Sequence, residues 1–552
     1  MPFGILEPHL PPGEHVFGTV HLFDGVSSLD AGAVDTREIN LATAKRDGNI
    51  ILIPQPSDSP NDPLNWSTRK KDFVLFVICL ASIMPAVMSP SIASSSVVLL
   101  FYFLKGIEPI ALLTGYHLVG AACAAVIVTA VSLKYGKRFL YVFACVIVIA
   151  SSAWAGAATS YRSFLGARIL QGVGLAPFET LVNASIGDMY FVHQRGYRLA
   201  IANLCLFGST FLTPVITGVI THNMGWHWIF WLLLIFSCVA GILLFFFVPE
   251  HAFNRAKRFN TDYGGEDAIL FCANESNEDA GAEKTSALAD GEESQQDDTK
   301  ETYLHSLWLF SRSKTSRPLW KIVLRPFVLL AHPAVIWGCL TQGTMIAWTT
   351  PIGVVLAAIF MGPPLWYDEV NTGYMYIGPL IGALGGFVLA GLLSDFAAKY
   401  LARRNNNIYE PEFRMVLLIP QLVFGLAGLW GFGITANDMY TYSKYLPPVF
   451  FGMEACGLML GAVASASYIT DAHRDLQIEM FVVLILYKNL FSFGLAYSSY
   501  NWVITLGTRK VFVIIGSVQV AVSVITMVFY FLGKKSRYFM QRHDILKACR
   551  LD

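Results

Sequence analysis

The chain carries about twelve nearly uninterrupted apolar runs of roughly 20 residues each, and this leaves it few ways to fold. In hydrocarbon the backbone must satisfy its own hydrogen bonds, so a run of that length is expected to cross as a helix. At about 1.5 Å per residue it matches a hydrocarbon core of about 30 Å. The first run starts after Lys71 and reaches about Leu100; others start near Ile110, Phe139, Phe164, Leu199 and Trp228. A polar block from Glu250 to about Arg325 follows, then runs near Pro333, Thr372, Val416, Pro447, Ile478 and Val511. Composition agrees, with 54% hydrophobic and 14% charged residues against about 25% charged in a soluble domain. The expected fold is an all-α integral membrane protein with twelve transmembrane helices in two six-helix bundles. The divisions are a tail 1–71, a first bundle 72–249, a linker 250–330, a second bundle 331–533 and a final tail 534–552.

The 39 Lys and Arg residues equal the 39 Asp and Glu, so nothing points to nucleic acid. The basic residues favour alternate connections. Arg69, Lys70 and Lys71 precede the first run, Lys134, Lys137 and Arg138 follow the second, and Arg195 and Arg198 follow the fourth. The linker holds Arg255, Lys257, Arg258, Arg312, Lys314, Arg317, Lys321 and Arg325. Lys399, Arg403, Arg404 and Arg414 follow the eighth run, and Lys534, Lys535 and Arg537 the last. The other connections hold only Lys105, Arg162, Lys444 and the discordant pair Arg509 and Lys510. The positive-inside rule then puts both termini and the linker in the cytosol. The expected location is the plasma membrane, with the vacuolar membrane as the alternative. The start resembles no signal peptide. Asn274 to Lys300 is rich in Glu, Asp, Ser and Gln and is expected to be disordered. Sequons at Asn65, Asn183 and Asn274 fall in the cytosol or inside a helix, so glycosylation is not expected. Seven of the nine cysteines sit in apolar runs without metal spacing and read as packing residues, while Cys272 and Cys549 lie in polar segments.

Ionisable residues inside the runs are costly, and they usually face a cavity or a partner. Arg168 and Glu179 are eleven residues apart, which puts them on one helix face, roughly 16 Å apart. That face is expected to line a central cavity, with Glu179 as acceptor for a proton or a cationic substrate. The competing reading is a buried ion pair with another helix. Lys488, at mid-run, needs a partner: an anionic substrate, Asp471 or Glu454. Glu479 reads as a helix-end residue and Asp471 with Arg474 as a local ion pair. Glu454 and Tyr468 share one face of a run rich in small residues, whose simpler role is close packing. Trp348, Tyr374, Tyr376, Tyr116 and His117 are further candidates for a substrate cavity, and aromatic packing is their simpler role.

Several motifs carry a resemblance. SDSPNDPLNWSTRKK precedes the first run, and GARILQGVGLAPFETLVNASIGDMYF in the fourth contains an RxxQGxG pattern at Arg168, Gln171, Gly172 and Gly174. Gly208, Pro214 and Gly218 follow in the fifth, then GWHWIFW, FFFVPEHAFNR, NNNIYEPEFRM, SYITDAHRD and YKN. The chain resembles the major facilitator superfamily, and within it the fungal drug:proton antiporters with twelve helices. The GxxxDRxGRR pattern after the second run departs from the family at Thr129 and Leu133 but keeps Lys134, Gly136, Lys137 and Arg138. Its second copy keeps Gly391, Asp395 and Lys399. The resemblance implies the major facilitator fold and a role for Arg168 in tuning proton transfer. Asp395 with Lys399 and Arg403, and Lys137 and Arg138 with Asp188, are candidate gate networks between rocking halves, and positive-inside anchoring is their simpler role. The function implied is proton-coupled export of a drug-like or secondary-metabolite molecule. Proton-coupled uptake of small cations or amines, and a solute sensor that moves nothing, are the alternatives. The expected partners are a small-molecule substrate, protons and the bilayer, with the chain acting as a monomer. No cofactor or metal is expected. No Walker A, HExxH, GxSxG or His-box pattern occurs, so neither ATP-driven transport nor enzymatic chemistry is expected.

Overall fold

The computed structural model describes residues 59–253 and 318–551 nearly continuously, apart from 363–364, 406–407, 474–475, 544 and 550. It also describes short pieces of the first 58 residues, and residues 303 and 308. The expected disorder of 274–300, the sequon at Asn274 and the Asp471–Arg474 pair fall outside these residues.

Eleven helices among the described residues are long and apolar enough to cross a membrane. They are α1 (Thr68–Met88), α2 (Ile107–Tyr135), α3 (Arg138–Gly156), α5 (Gln194–Met224) and α6 (His227–Phe247), then α7 (Pro333–Met361), α8 (Glu369–Arg404), α9 (Pro411–Asn437), α10 (Leu446–Ala472), α11 (Gln477–Leu506) and α12, whose helix is Thr508–Arg542. Between α3 and α5 lies α4, Tyr161–Met189, of 29 residues. It is as long as its neighbours but more polar, because it carries Arg162, Arg168, Glu179 and Asp188. Its burial inside the first bundle removes the need for an apolar surface.

The local chemistry explains several boundaries. Ser67 caps α1 by accepting from the Lys70 amide, and Ser160 caps α4 by accepting from that of Ser163. The first run does not continue to Leu100 as one helix. α1 stops at Met88, and a short turn over Pro90–Ile92 leads into the separate helix Ser96–Phe103. In this break Ser94 and Ser95 hydrogen-bond Thr217 and Thr221 of α5 at 3.0 and 2.6 Å. α5 and α7 each contain one π-helical turn, at Leu204–Gly208 and Cys339–Gly343. The last helix passes the expected boundary at 533 and runs to Arg542, because Lys534 and Arg537 find buried carboxylates at Glu410 and Glu412.

Helices α1–α6 and α7–α12 form two bundles. Within the first, α4 packs on α2 so closely that a Cβ on Gly172 would overlap the His117 carbonyl, and one on Gly120 that of Ile169. Within the second, α8 packs on α10 through Gly382 and Gly452 in the same manner. The bundles meet chiefly along α2 with α11 and α5 with α8. The tails, the end of α6 and the start of α7 share one face, called here the tail face. Part of the N-terminal tail lies on the second bundle there: Val20–His21 pairs antiparallel with Ile408–Tyr409, and Ile5 is buried with Tyr409 and Phe413.

Candidate functional site

A cavity of about 1530 Å³, its open mouth included, lies between the bundles. Its wall runs from the middle of α4, α5 and α11 to the ends of α1, α2, α7 and α8 away from the tail face. Most of the wall is apolar, with a few hydroxyls such as Ser89, Thr210 and Thr350. Glu179 and Lys488 lie at its floor and are the charged residues in the wall among those described.

These two side chains join the bundles. Lys488 Nζ of α11 donates to Glu179 Oε1 of α4 at 2.6 Å, and Asn489 Nδ2 donates to Oε2 at 3.2 Å. The side chains are 8% and 9% exposed, so the pair is neither fully dry nor freely solvated. Lys488 also lies 5.5 Å from the Phe207 ring, which the π-turn of α5 presents to the cavity. The expectation of Asp471 or Glu454 as protein partner of Lys488 is corrected: the partner is Glu179.

Arg168 is not on the cavity wall. It is fully buried, donates to the carbonyls of Met88 and Ser89, and reaches Gln171 Oε1 at 3.0 Å. It thus satisfies carbonyls left open where α1 ends. His117 is likewise buried, its Nδ1 against the Arg168 carbonyl at 3.2 Å. The other cavity expectations are also corrected. Glu454 is sealed against Gly428 of α9, and Tyr468 stacks edge-on with Trp337. Trp348 donates to Gln519 inside the second bundle, Tyr116 packs on Phe493, and Tyr374 is outward and 45% exposed. Only Tyr376, of the five aromatic candidates, reaches the wall. Aromatic identity carried no information about facing, because such rings pack equally well within a bundle (Trp348, Tyr468), between bundles (Tyr116) or outward (Tyr374). Asn489 enters the sequence reading only as the last residue of the YKN motif, with no role in a site assigned to it.

At the tail face the bundles are closed by a network centred on Asp471, at the end of α10. It accepts from Tyr409 Oη at 2.7 Å and Arg414 Nε at 3.3 Å, and lies 3.8 Å from Arg195 of the other bundle. Arg195 is itself anchored to the carbonyls of Gly187 and Tyr190 at the end of α4. Asp395 pairs with Arg414 at 3.3 Å and packs against Gly196 of α5, so the expected Asp395–Lys399–Arg403 grouping is corrected. Lys137 does pair with Asp188, at 2.7 Å, but within the first bundle. Arg138 goes instead to the Phe245 and Trp308 carbonyls, while its amide donates to Glu250. Glu479 pairs with Arg325 at 3.0 Å in the first turn of α11. Nearby, Glu410 is buried, which alone would raise its pKa, yet Arg537 and Lys534 outweigh this and hold it below the usual carboxylate value.

The comparisons with known proteins agree with this architecture. The chain is 25% identical to an uncharacterized MFS-type transporter of Schizosaccharomyces pombe, over 86% of this chain and 85% of that one. It is 22% identical to protein HOL1 of Saccharomyces cerevisiae over 96% of each, and 24% identical to MFS transporter cpaT of Aspergillus oryzae over 87% and 91%. Its fold is similar to the proton:xylose symporter XylE bound to 6-bromo-6-deoxy-D-glucose, with a TM-score of 0.57 and 14% identity over 84% of this chain and 97% of that one. The family description of the Major Facilitator Superfamily matches residues 72–477, and the chain belongs to that superfamily.

Proposed function

We propose that this chain is a proton-coupled carrier that exports a small, largely apolar organic molecule by alternating access. The observation that carries the reading is the Glu179–Lys488 pair bridging the bundles at the cavity floor. A proton on Glu179 removes the charge that holds Lys488 and weakens the one charged tie between the bundles in the cavity wall among the described residues. The tail-face network then becomes the remaining restraint on rocking. The excess of Lys and Arg on the tail face supports a cytosolic tail face, and with it an outward-opening cavity. Protons entering from outside reach Glu179, and the substrate leaves by the same opening. Each proton moving inward contributes about 2.3 kcal/mol per 100 mV, besides the pH difference. The polar helix α4, inside the bundle, serves as the twelfth span.

A second reading is uptake of a small organic cation with protons. It is favoured by Glu179 being the one carboxylate in the wall among the described residues, at the base of an outward opening. Reconstitution in vesicles with an imposed pH gradient separates the two: antiport drives solute against the proton flow, and symport drives it along. Binding without flux in either direction would mark a sensor. In the same assay Glu179→Gln should abolish proton coupling while Glu179→Asp retains part of it. Coupled flux unchanged in Glu179→Gln removes Glu179 from the mechanism.

A further inference from the structure

A second cavity, of about 1160 Å³ with its mouth included, lies wholly in the second bundle between α7, α9 and α12. Its lip carries Ile419, Val423 and Met527, which are 64%, 61% and 58% exposed, so it opens sideways toward lipid rather than into the central cavity. None of its described lining residues is charged. At its inner end the π-turn of α7 frees the Thr341 carbonyl, which accepts from Gln421 Nε2 at 3.1 Å. Gln421 Oε1 and Thr341 Oγ1 remain, both on buried side chains and both without a hydrogen-bond partner. Unpaired buried polar atoms are costly; these two belong to neighbouring residues in the crevice wall but do not bond each other, so they call for a polar group from outside the chain.

We propose that this crevice binds a neutral membrane lipid of sterol type, its single hydroxyl between Gln421 and Thr341 and its apolar body in the mouth. One hydroxyl donates to Gln421 Oε1 and accepts from Thr341 Oγ1. A phospholipid cannot enter this way, because its charged headgroup finds no counter-charge and its acyl chain brings no donor. A diacylglycerol adds ester carbonyls that Ser523 and Thr526 cannot meet, since both already donate to carbonyls of their own helix.

The test uses the full chain in lipid nanodiscs with a diazirine-bearing cholesterol, and maps the photolabel by mass spectrometry. Labelling is expected on α9 and α12 around Leu422 and Met527, and excess ergosterol should remove it where dioleoylglycerol does not. Gln421→Leu should weaken labelling about five- to tenfold, the effect of one hydrogen bond. Ile419→Trp, at the exposed lip, should block it without touching the bundle interior. Label spread evenly around the protein and unmoved by ergosterol would mean ordinary annular lipid and overturn the proposal. Equal displacement by dioleoylglycerol, or full labelling of Gln421→Leu beside a blocked Ile419→Trp, would leave a crevice for apolar chains and overturn the assignment of the hydroxyl.

Discussion

Glu179 and Lys488 stabilise each other in a setting where either alone is a liability. Removing one partner of a largely buried pair leaves an uncompensated charge, which costs about 3–5 kcal/mol, whereas replacing both by neutral groups of similar size costs far less. Lys488→Ala should therefore lower the unfolding temperature in detergent clearly, and Glu179→Gln with Lys488→Met should recover most of the loss. A double variant no more stable than Lys488→Ala would mean that the pair is solvated and weak. The sequence marked both residues, because charge inside an apolar run is rare. It could not pair them, since they are 309 positions apart and meet only through the docking of two bundles. It also treated Arg168 like Glu179, because helical periodicity reports a shared direction and not which side chain meets backbone carbonyls first. A second residue-scale effect is pH-dependent. His332 caps α7 by accepting from the Ala334 amide, and burial pushes its pKa down to about 4 from an unfolded value near 6.5. Its stabilising contribution is complete above about pH 6.5, erodes as pH falls through that interval and is lost near pH 4. His332→Asn keeps a capping acceptor without the titration, so its melting temperature should fall less between pH 7 and pH 5 than that of the wild type. Part of the slope should persist, because the neighbouring His473, with ring centroids 4.7 Å away, is also held low by burial.

Helices in a bilayer gain little from hydrophobic burial against each other, so their contacts depend on how closely the backbones approach. Gly172 in the RxxQGxG pattern has a physical reason to be glycine: α4 crosses α2 there with the His117 carbonyl where a Cβ would stand. Since that neighbour is backbone, the helices must separate to admit a methyl group. Gly172→Ala should cost about 2–4 kcal/mol, read as early thermal unfolding and poor yield of monodisperse protein. Gly391→Ala is the matched control, since nothing lies within 4 Å of a Cβ there. The runs were legible because hydropathy over twenty residues is a strong signal, and most helix starts lie within a few residues of the expected positions. The break after Met88 was not legible. It depends on serines that bond threonines over 120 residues away and on the Arg168 guanidinium, none of which alters local hydropathy.

Six runs, a polar block and six more runs made the two-bundle arrangement readable, but nothing in a linear pattern says which face of the assembly is shut. That depends on Asp471, whose expected local partner Arg474 lies outside the described residues, and which gathers Tyr409 and Arg414 from around the start of α9 and Arg195 from the start of α5. Arg195 is the member from the first bundle, where it is held by the Gly187 and Tyr190 carbonyls, so its reach to Asp471 ties the halves in the closed arrangement. Close by, Gln477 of α11 donates to the Asn183 carbonyl of α4 at 3.3 Å, a weaker tie of the same kind. If the halves rock, this network forms in one state and is absent in the other, so weakening it shifts the population toward opening on the tail face. Arg195→Ala removes the charge without disturbing Arg414, which still neutralises Asp471, so the fold should survive. A shift of about 1.4 kcal/mol multiplies the minor state tenfold. Hydrogen exchange should then quicken by about that factor in residues 183–198 and 469–480, and stay unchanged in the cores of α3 and α9. Faster exchange throughout the chain would indicate loss of stability, and no change in the two segments would show that the closure does not depend on this contact.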